Sequence, residues 1–178
     1  EEQLRARLNN ELANELGNLI SRTLTLVEKK LDSKISKHKT DNKLFKNLKV
    51  KQIDKFIEEI EPHNAVAAIF GFIHSCNQYI NDNAPWSIEN KEKLNKILYN
   101  LTDAIRIISI LISPFMPGTS EKINRQLNIS QGKLKHCKPG LLQEITIQKG
   151  EIIFQKVLTK AEEKKESFSN YKCYIEPN

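Results

Sequence analysis

A chain of 178 residues with 39% hydrophobic side chains can bury one substantial core and is marginal for two independent domains. Its 28 Lys and Arg against 22 Asp and Glu give a formal charge of +6 and a pI near 9.1, which suits an anionic partner, nucleic acid foremost, without requiring one. Three cysteines at wide, irregular spacing (Cys76, Cys137 and Cys173) argue against a disulfide framework or a metal-ligand pair and fit a reducing cytoplasm, and no stretch approaches the roughly 18 to 20 uninterrupted apolar residues of a membrane span.

The first helix is expected from about Glu2 to Lys30, with Leu4, Leu8, Leu12, Leu16, Leu19 and Leu26 as its apolar stripe. Beside that stripe stand Asn14, Asn18 and Arg22. At about 100° per residue, steps of four advance only about 40°, so the three polar side chains form a strip beside the apolar one. Two amides and a guanidinium can read hydrogen-bonding edges, but a solvated helix flank has the same pattern. Gly17 interrupts the helix at a cost of about 1 kcal/mol relative to alanine, which predicts close approach by another helix or a ligand. The chain opens on Glu1-Glu2-Gln3-Leu4-Arg5 already in helical pattern and without a capping residue, as expected of a piece cut from a longer polypeptide.

Residues 33–42 are polar and basic and read as a loop. A second helical region over about 43–61 carries mixed three and four spacing, with a break expected around Lys49-Val50-Lys51. Pro62 suits the first turn of a third helix that follows a clear stripe, from Ala65 through Ile69, Phe72, Ile73 and Cys76 to Ile80, with a partly buried His74 expected beside it. Pro85 must stop this helix near Ala84, because it restricts the preceding residue and donates no backbone hydrogen bond. Trp86 follows immediately. A lone tryptophan commonly anchors a core, yet here Pro85 presents it at a helix terminus, so both placements stay open.

Ser87 or Asn90 can cap a fourth helix, striped from Leu94 to Leu111 and closed before Pro114. Pro114 to Gly118 forms a rigid turn, after which Thr119 or Ser120 caps a short fifth helix. The character changes past residue 130. Ile145-Thr146-Ile147 and Ile152-Ile153-Phe154 flank Lys149-Gly150-Glu151 as a short β-hairpin, expected to dock on the helices. A further helix is expected over 158–165. The division is thus a helical bundle over 1–130 and a loop, strand pair and C-terminal helix or tail over 131–178.

Catalytic constellations are absent. The four histidines lack a metal-ligand spacing, and six scattered glycines provide no phosphate-cradling turn. The acids Glu58, Glu59 and Glu61 read as a solvated helix face.

Three segments together carry a resemblance. RLNNELANELGNLISRTLTLVEK, NQYINDNAPW and LISPFMPGTSEKINRQL closely resemble, in order and spacing, the C-terminal anticodon-binding domain of methionyl-tRNA synthetase, a class I enzyme, the archaeal and eukaryotic-like branch being nearest in wording. The resemblance covers nearly the whole chain. It implies an all-α, antiparallel helical bundle of the class Ia anticodon-binding type, with the asparagine-x-x-x-arginine step matched by Asn18 and Arg22 and the stacking tryptophan matched by Trp86. Single-stranded loops are read in this manner, splayed bases stacking on aromatic rings while their edges are hydrogen-bonded.

Asn14, Asn81 and Pro85 would support the site. The implied partners are the anticodon loop of tRNA(Met), with its CAU triplet, and an upstream catalytic domain of the same chain. Neither a HIGH-type nor a KMSKS-type signature is present, so the piece itself would recognise and not catalyse. It would need no cofactor, while ATP with Mg would serve the complete methionine–tRNA ligase in the cytoplasm. The competing readings are the anticodon-binding domain of a related class Ia synthetase, or a helical protein-interaction module with incidental basic charge.

Overall fold

The computed structural model describes residues 8–148 and 150–154, with side chains from residue 12 onward. A π-helix, Leu8–Gly17, runs into α1 (Asn18–Leu31). There follow β1 (Lys34–Ile35), α2 (Asn42–Phe45), α3 (Val50–Glu58), α4 (Pro62–Asn83), α5 (Lys91–Ile112), α6 (Pro117–Leu127) and β2 (Ile145–Thr146).

Helix α5 is the axis of the bundle. Asn90 starts it, its side chain accepting from the Lys93 amide at 2.9 Å, which satisfies one of the donors a helix start leaves unpaired. Every residue from Ile97 to Ile112 is buried, the pattern of a helix surrounded on all sides. It packs against α1, α4 and α6. Helix α4 begins with Pro62 at its first turn, where a missing N–H costs nothing. Its buried stripe is Ala65, Ile69, Phe72, Ile73, Cys76 and Ile80. Helix α2 docks on it through tilted rings, Phe45 and Phe72 lying 6.1 Å apart.

Of the buried polar residues that interrupt the α5 stripe, Tyr99, Asn100, Asp103, Arg106 and Ser109 have hydrogen-bond partners, as most buried polar groups do, whereas among the described residues the Thr102 hydroxyl has none. The Asp103 carboxylate accepts from Arg106 Nε at 2.7 Å and from the Gly140 and Leu142 amides at 2.6 and 3.2 Å. Arg106 also donates to the carbonyls of His136 and Lys138, at 2.9 and 2.8 Å. The Tyr99 hydroxyl donates to the Leu142 carbonyl at 3.0 Å. Residues past the bundle are thereby tied to its central helix.

Several expectations are corrected. The anticipated hairpin of 145–147 with 152–154 does not form: β2 pairs antiparallel with β1, Ile35 opposite Ile145 and Lys34 opposite Thr146, and 152–154 is not strand. Ile35 is fully buried within a stretch that reads as solvated loop, because one apolar residue among lysines leaves no periodicity to detect. The first helix is π-helical up to Gly17. The close neighbour of Gly17 is Phe154, whose ring carbon would lie 3.4 Å from an added Cβ, with the Leu12 carbonyl at 3.2 Å. Neither a second helix nor a ligand is needed to explain this glycine.

The break in the second helical region falls at 46–49, between α2 and α3. Helix α6 starts on Pro117, whose ring presets helical φ. Ser120 is therefore inside the helix, and its hydroxyl donates to the Ser109 carbonyl at 2.7 Å. His74 is exposed, its imidazole 3.9 Å from Glu15. The expected helix over 158–165 and Cys173 lie outside the described residues. No described helix is long and apolar enough to cross a membrane.

Candidate functional site

The candidate site lies where the middle of α1 meets the C-terminal end of α4. Helix α4 ends at Asn83, and Ala84 takes left-handed backbone angles as its cap. Pro85 then opens a single 3-10 turn, Pro85–Ser87, closed by the Ser87 amide and hydroxyl on the Ala84 carbonyl at 3.0 and 2.8 Å. Pro85 is buried and Trp86 is 47% exposed. The indole is thus outside the core, held on a short, internally bonded turn.

Arg22 reaches this turn from α1. Its Nη2 donates to Asn81 Oδ1 at 2.9 Å, and its Cζ lies 5.2 Å from the centroid of the Trp86 ring. That distance is within cation–π range. Among the described residues no carboxylate forms an ion pair with Arg22, so its charge is balanced only by an amide dipole and a π-face. The guanidinium has five donor hydrogens, and the amide of Asn81 engages a single nitrogen of the group. Asn18, exposed, opens α1 one helical turn before Arg22.

The structure therefore brings Arg22, Asn81, Pro85 and Trp86 together and sets Asn18 beside Arg22 on the same face of α1. Asn14 stands differently. It lies in the π-helix, and with hydrogen bonds from i to i+5 a four-residue step falls short of a full turn, whereas in an α-helix it overshoots by about 40°. The even strip expected of Asn14, Asn18 and Arg22 holds for the last pair only. Asn14 is exposed and makes a contact of its own.

One participant escapes sequence inspection. Lys30, two turns beyond Arg22 on α1, donates from Nζ to the Trp86 carbonyl at 2.9 Å. Its spacing of four and eight from Leu26 and Arg22 is the signal that points to it, since such positions share a helix side.

Residues 45–173 match the family described as the anticodon-binding domain of tRNA ligase. The methionine–tRNA ligase of Caldanaerobacter subterraneus is 35% identical over 169 residues, covering 88% of this chain and 26% of that protein. That of Clostridium acetobutylicum is 34% identical over 164 residues, covering 85% and 25%. These organisms are bacteria, in contrast to the archaeal and eukaryotic-like leaning of the segment wording. The fold superposes on the apo methionyl-tRNA synthetase of Mycobacterium tuberculosis with a TM-score of 0.79 at 24% identity, over 89% of this chain and 35% of that one. The methionyl-adenylate-bound form of that enzyme gives 0.78 at 25%, over 87% and 34%. The chain spans about a quarter of the length of the curated relatives it matches.

Proposed function

The chain belongs to the anticodon-binding domain family of tRNA ligases, and from that premise we propose that it holds the anticodon loop of tRNA(Met) and reads its CAU triplet at Trp86, Arg22 and Asn18. The observation that carries the reading is the exposed indole of Trp86 with the Arg22 guanidinium over its ring and the Asn81 amide holding that guanidinium. A base splayed from a single-stranded loop stacks on the indole, while Arg22 donates to acceptors on its edge or on the neighbouring base. Asn18 offers both a donor and an acceptor one turn away. Asn81, Pro85 and Lys30 position these groups.

In the complete ligase, an upstream catalytic domain attaches methionine in an ATP- and Mg-dependent reaction, in the cytoplasm. The present chain selects which tRNA is charged. The relatives, all named methionine–tRNA ligases, support this division of labour.

Trp86→Ala tests the reading. A stacked base is worth about 1 to 3 kcal/mol, so affinity for a CAU stem-loop should fall roughly fivefold to a hundredfold by fluorescence anisotropy. Helical circular dichroism should not change, because the ring is outside the core. Unchanged affinity for the CAU stem-loop would remove Trp86 from the site, and equal binding of a stem-loop with an altered anticodon would remove the specificity.

A further inference from the structure

Positive charge is concentrated in one part of this chain. Between Lys29 and Lys51 stand nine lysines and two aspartates, an excess of seven, whereas the whole chain has an excess of six. The remaining residues together carry a net charge of minus one. Eight of the nine lysines are exposed, Lys30 being the partly buried exception. Among the described residues none of the nine forms an ion pair.

This stretch runs from the end of α1 through β1 and α2 to the start of α3, and it is tied down as a strap by mainly neutral groups. The Ser36 amide donates to Asn95 Oδ1 at 3.2 Å, and Asn95 Nδ2 donates back to the Ser36 carbonyl at 3.0 Å. Asn100 accepts from the Asp41 amide at 2.7 Å and donates to the Lys39 carbonyl at 3.2 Å. Asn47 Nδ2 donates to Ser75 Oγ at 2.8 Å. Amides hold the backbone without cancelling any lysine. Asp41 is already occupied, its two oxygens accepting from the Lys43 amide and the Tyr79 hydroxyl. Asp82 is the one acid of α4 that lines the cleft beside Lys43 and Asn47.

We propose that this lysine strap is a phosphate-binding face for the duplex stem of the RNA whose loop is held at Trp86, an inference that rests on the function proposed above. Three features favour phosphate over base recognition. Lysine is a flexible point charge suited to backbone contacts without sequence information. Phe45 is buried, and the strap's other ring, the partly exposed imidazole of His38, is tied through Nδ1 to the Lys39 amide, so no exposed large aromatic ring offers a stacking platform. The strap is also continuous with the candidate site, because Lys30 at its root is bonded to the Trp86 carbonyl. Pinned at Ser36, Lys39, Asp41 and Asn47, it presents its charges in a backbone ordered before any RNA arrives, which keeps the entropic cost of binding low.

The test replaces Lys37, Lys39, Lys43 and Lys46 together, once by Gln and once by Arg. Three probes are titrated over a range of salt: a CAU hairpin, the same stem with an altered loop, and a short unpaired strand containing CAU. The four-Gln chain should bind both hairpins at least tenfold more weakly at about 50 mM salt. Its slope of log affinity against log salt should flatten by about three. The four-Arg chain should restore both, and the unpaired strand should be affected least.

If the four-Gln chain binds the CAU hairpin with unchanged affinity and slope while Trp86→Ala still weakens it, the strap inference fails and the anticodon reading survives. If the two hairpins bind alike and Trp86→Ala is silent, yet the four-Gln slope flattens, the strap stands and the anticodon reading falls. A loss that Arg does not rescue and salt does not modulate overturns the strap, since it marks a structural effect.

Discussion

Asn81→Ala isolates what one amide does for Arg22. The 2.9 Å bond lies at the surface, where water competes for both partners, so its contribution falls below the charge-assisted range of about 1.5 to 3 kcal/mol, at about 1 kcal/mol. The guanidinium then keeps only its contact with the Trp86 ring, worth about 0.5 to 1 kcal/mol at an exposed site. Affinity for a CAU stem-loop should therefore drop about fivefold. A double-mutant cycle with Arg22→Met separates positioning from direct contact: if Asn81 acts through Arg22, Asn81→Ala costs almost nothing once Arg22 is gone, and the coupling is about 1 kcal/mol. Trp86 is the sole tryptophan, so intrinsic fluorescence reports this site alone, and both single variants should change its emission before RNA is added. Equal fivefold losses in the two backgrounds would refute the positioning argument and make Asn81 an RNA contact in its own right.

Arg106→Met should destabilise the fold by roughly 3 to 5 kcal/mol, because it strands the carboxylate of Asp103 inside the core. The two side chains are only 10% and 1% exposed. Thermal circular dichroism should show a midpoint lower by about 6 to 20 °C, partly recovered when Asp103→Asn is added; a loss under about 1 kcal/mol contradicts the packing described for residues 136–142. The free thiols of Cys76 and Cys137 are buried. Burial pushes Cys137 up from an ordinary 9.0 to about 11, against a smaller lowering by Arg106, and raises Cys76 further still. A raised folded-state value means the folded chain holds the proton more tightly, so this stabilising contribution is complete below pH 9 and is lost as pH rises through about 11. Alkylation at pH 8 followed by peptide mass spectrometry should leave both thiols unmodified until urea is added, and rapid labelling of native chain would contradict their burial.

The long helices α4 and α5 were legible because their signals are local. Pro62 and Asn90 mark their starts, and an apolar stripe at three and four spacing runs along each. The Pro85-Trp86 terminus was legible for the same reason, since proline restricts the residue before it. What escaped depends on contacts between distant residues. Nothing near Ile35 announces Ile145, and a strand of two residues carries no alternation. The neighbour that crowds Gly17 is the ring of Phe154, some 140 residues away. His74 was misplaced because one step off an apolar stripe can face either the groove or the solvent. In the candidate site, the residue types were readable, but the Arg22–Asn81 bond and the Lys30 anchor required the relative placement of α1 and α4.

The pairing of β1 with β2 also constrains the order in which the molecule assembles. It closes a loop of some 110 residues, at an entropic cost of about 4 kcal/mol, more than two residue pairs can return. It therefore cannot nucleate folding, and it forms only after α4 and α5 have brought their flanks together. Since β1 lies within the lysine strap, a fluctuation that frees the segment around Ile145 also loosens the ground on which Lys34 and Lys37 stand. The two distant stretches thus act as one cooperative unit, and the electrostatic face is only as well ordered as residues more than a hundred positions downstream allow.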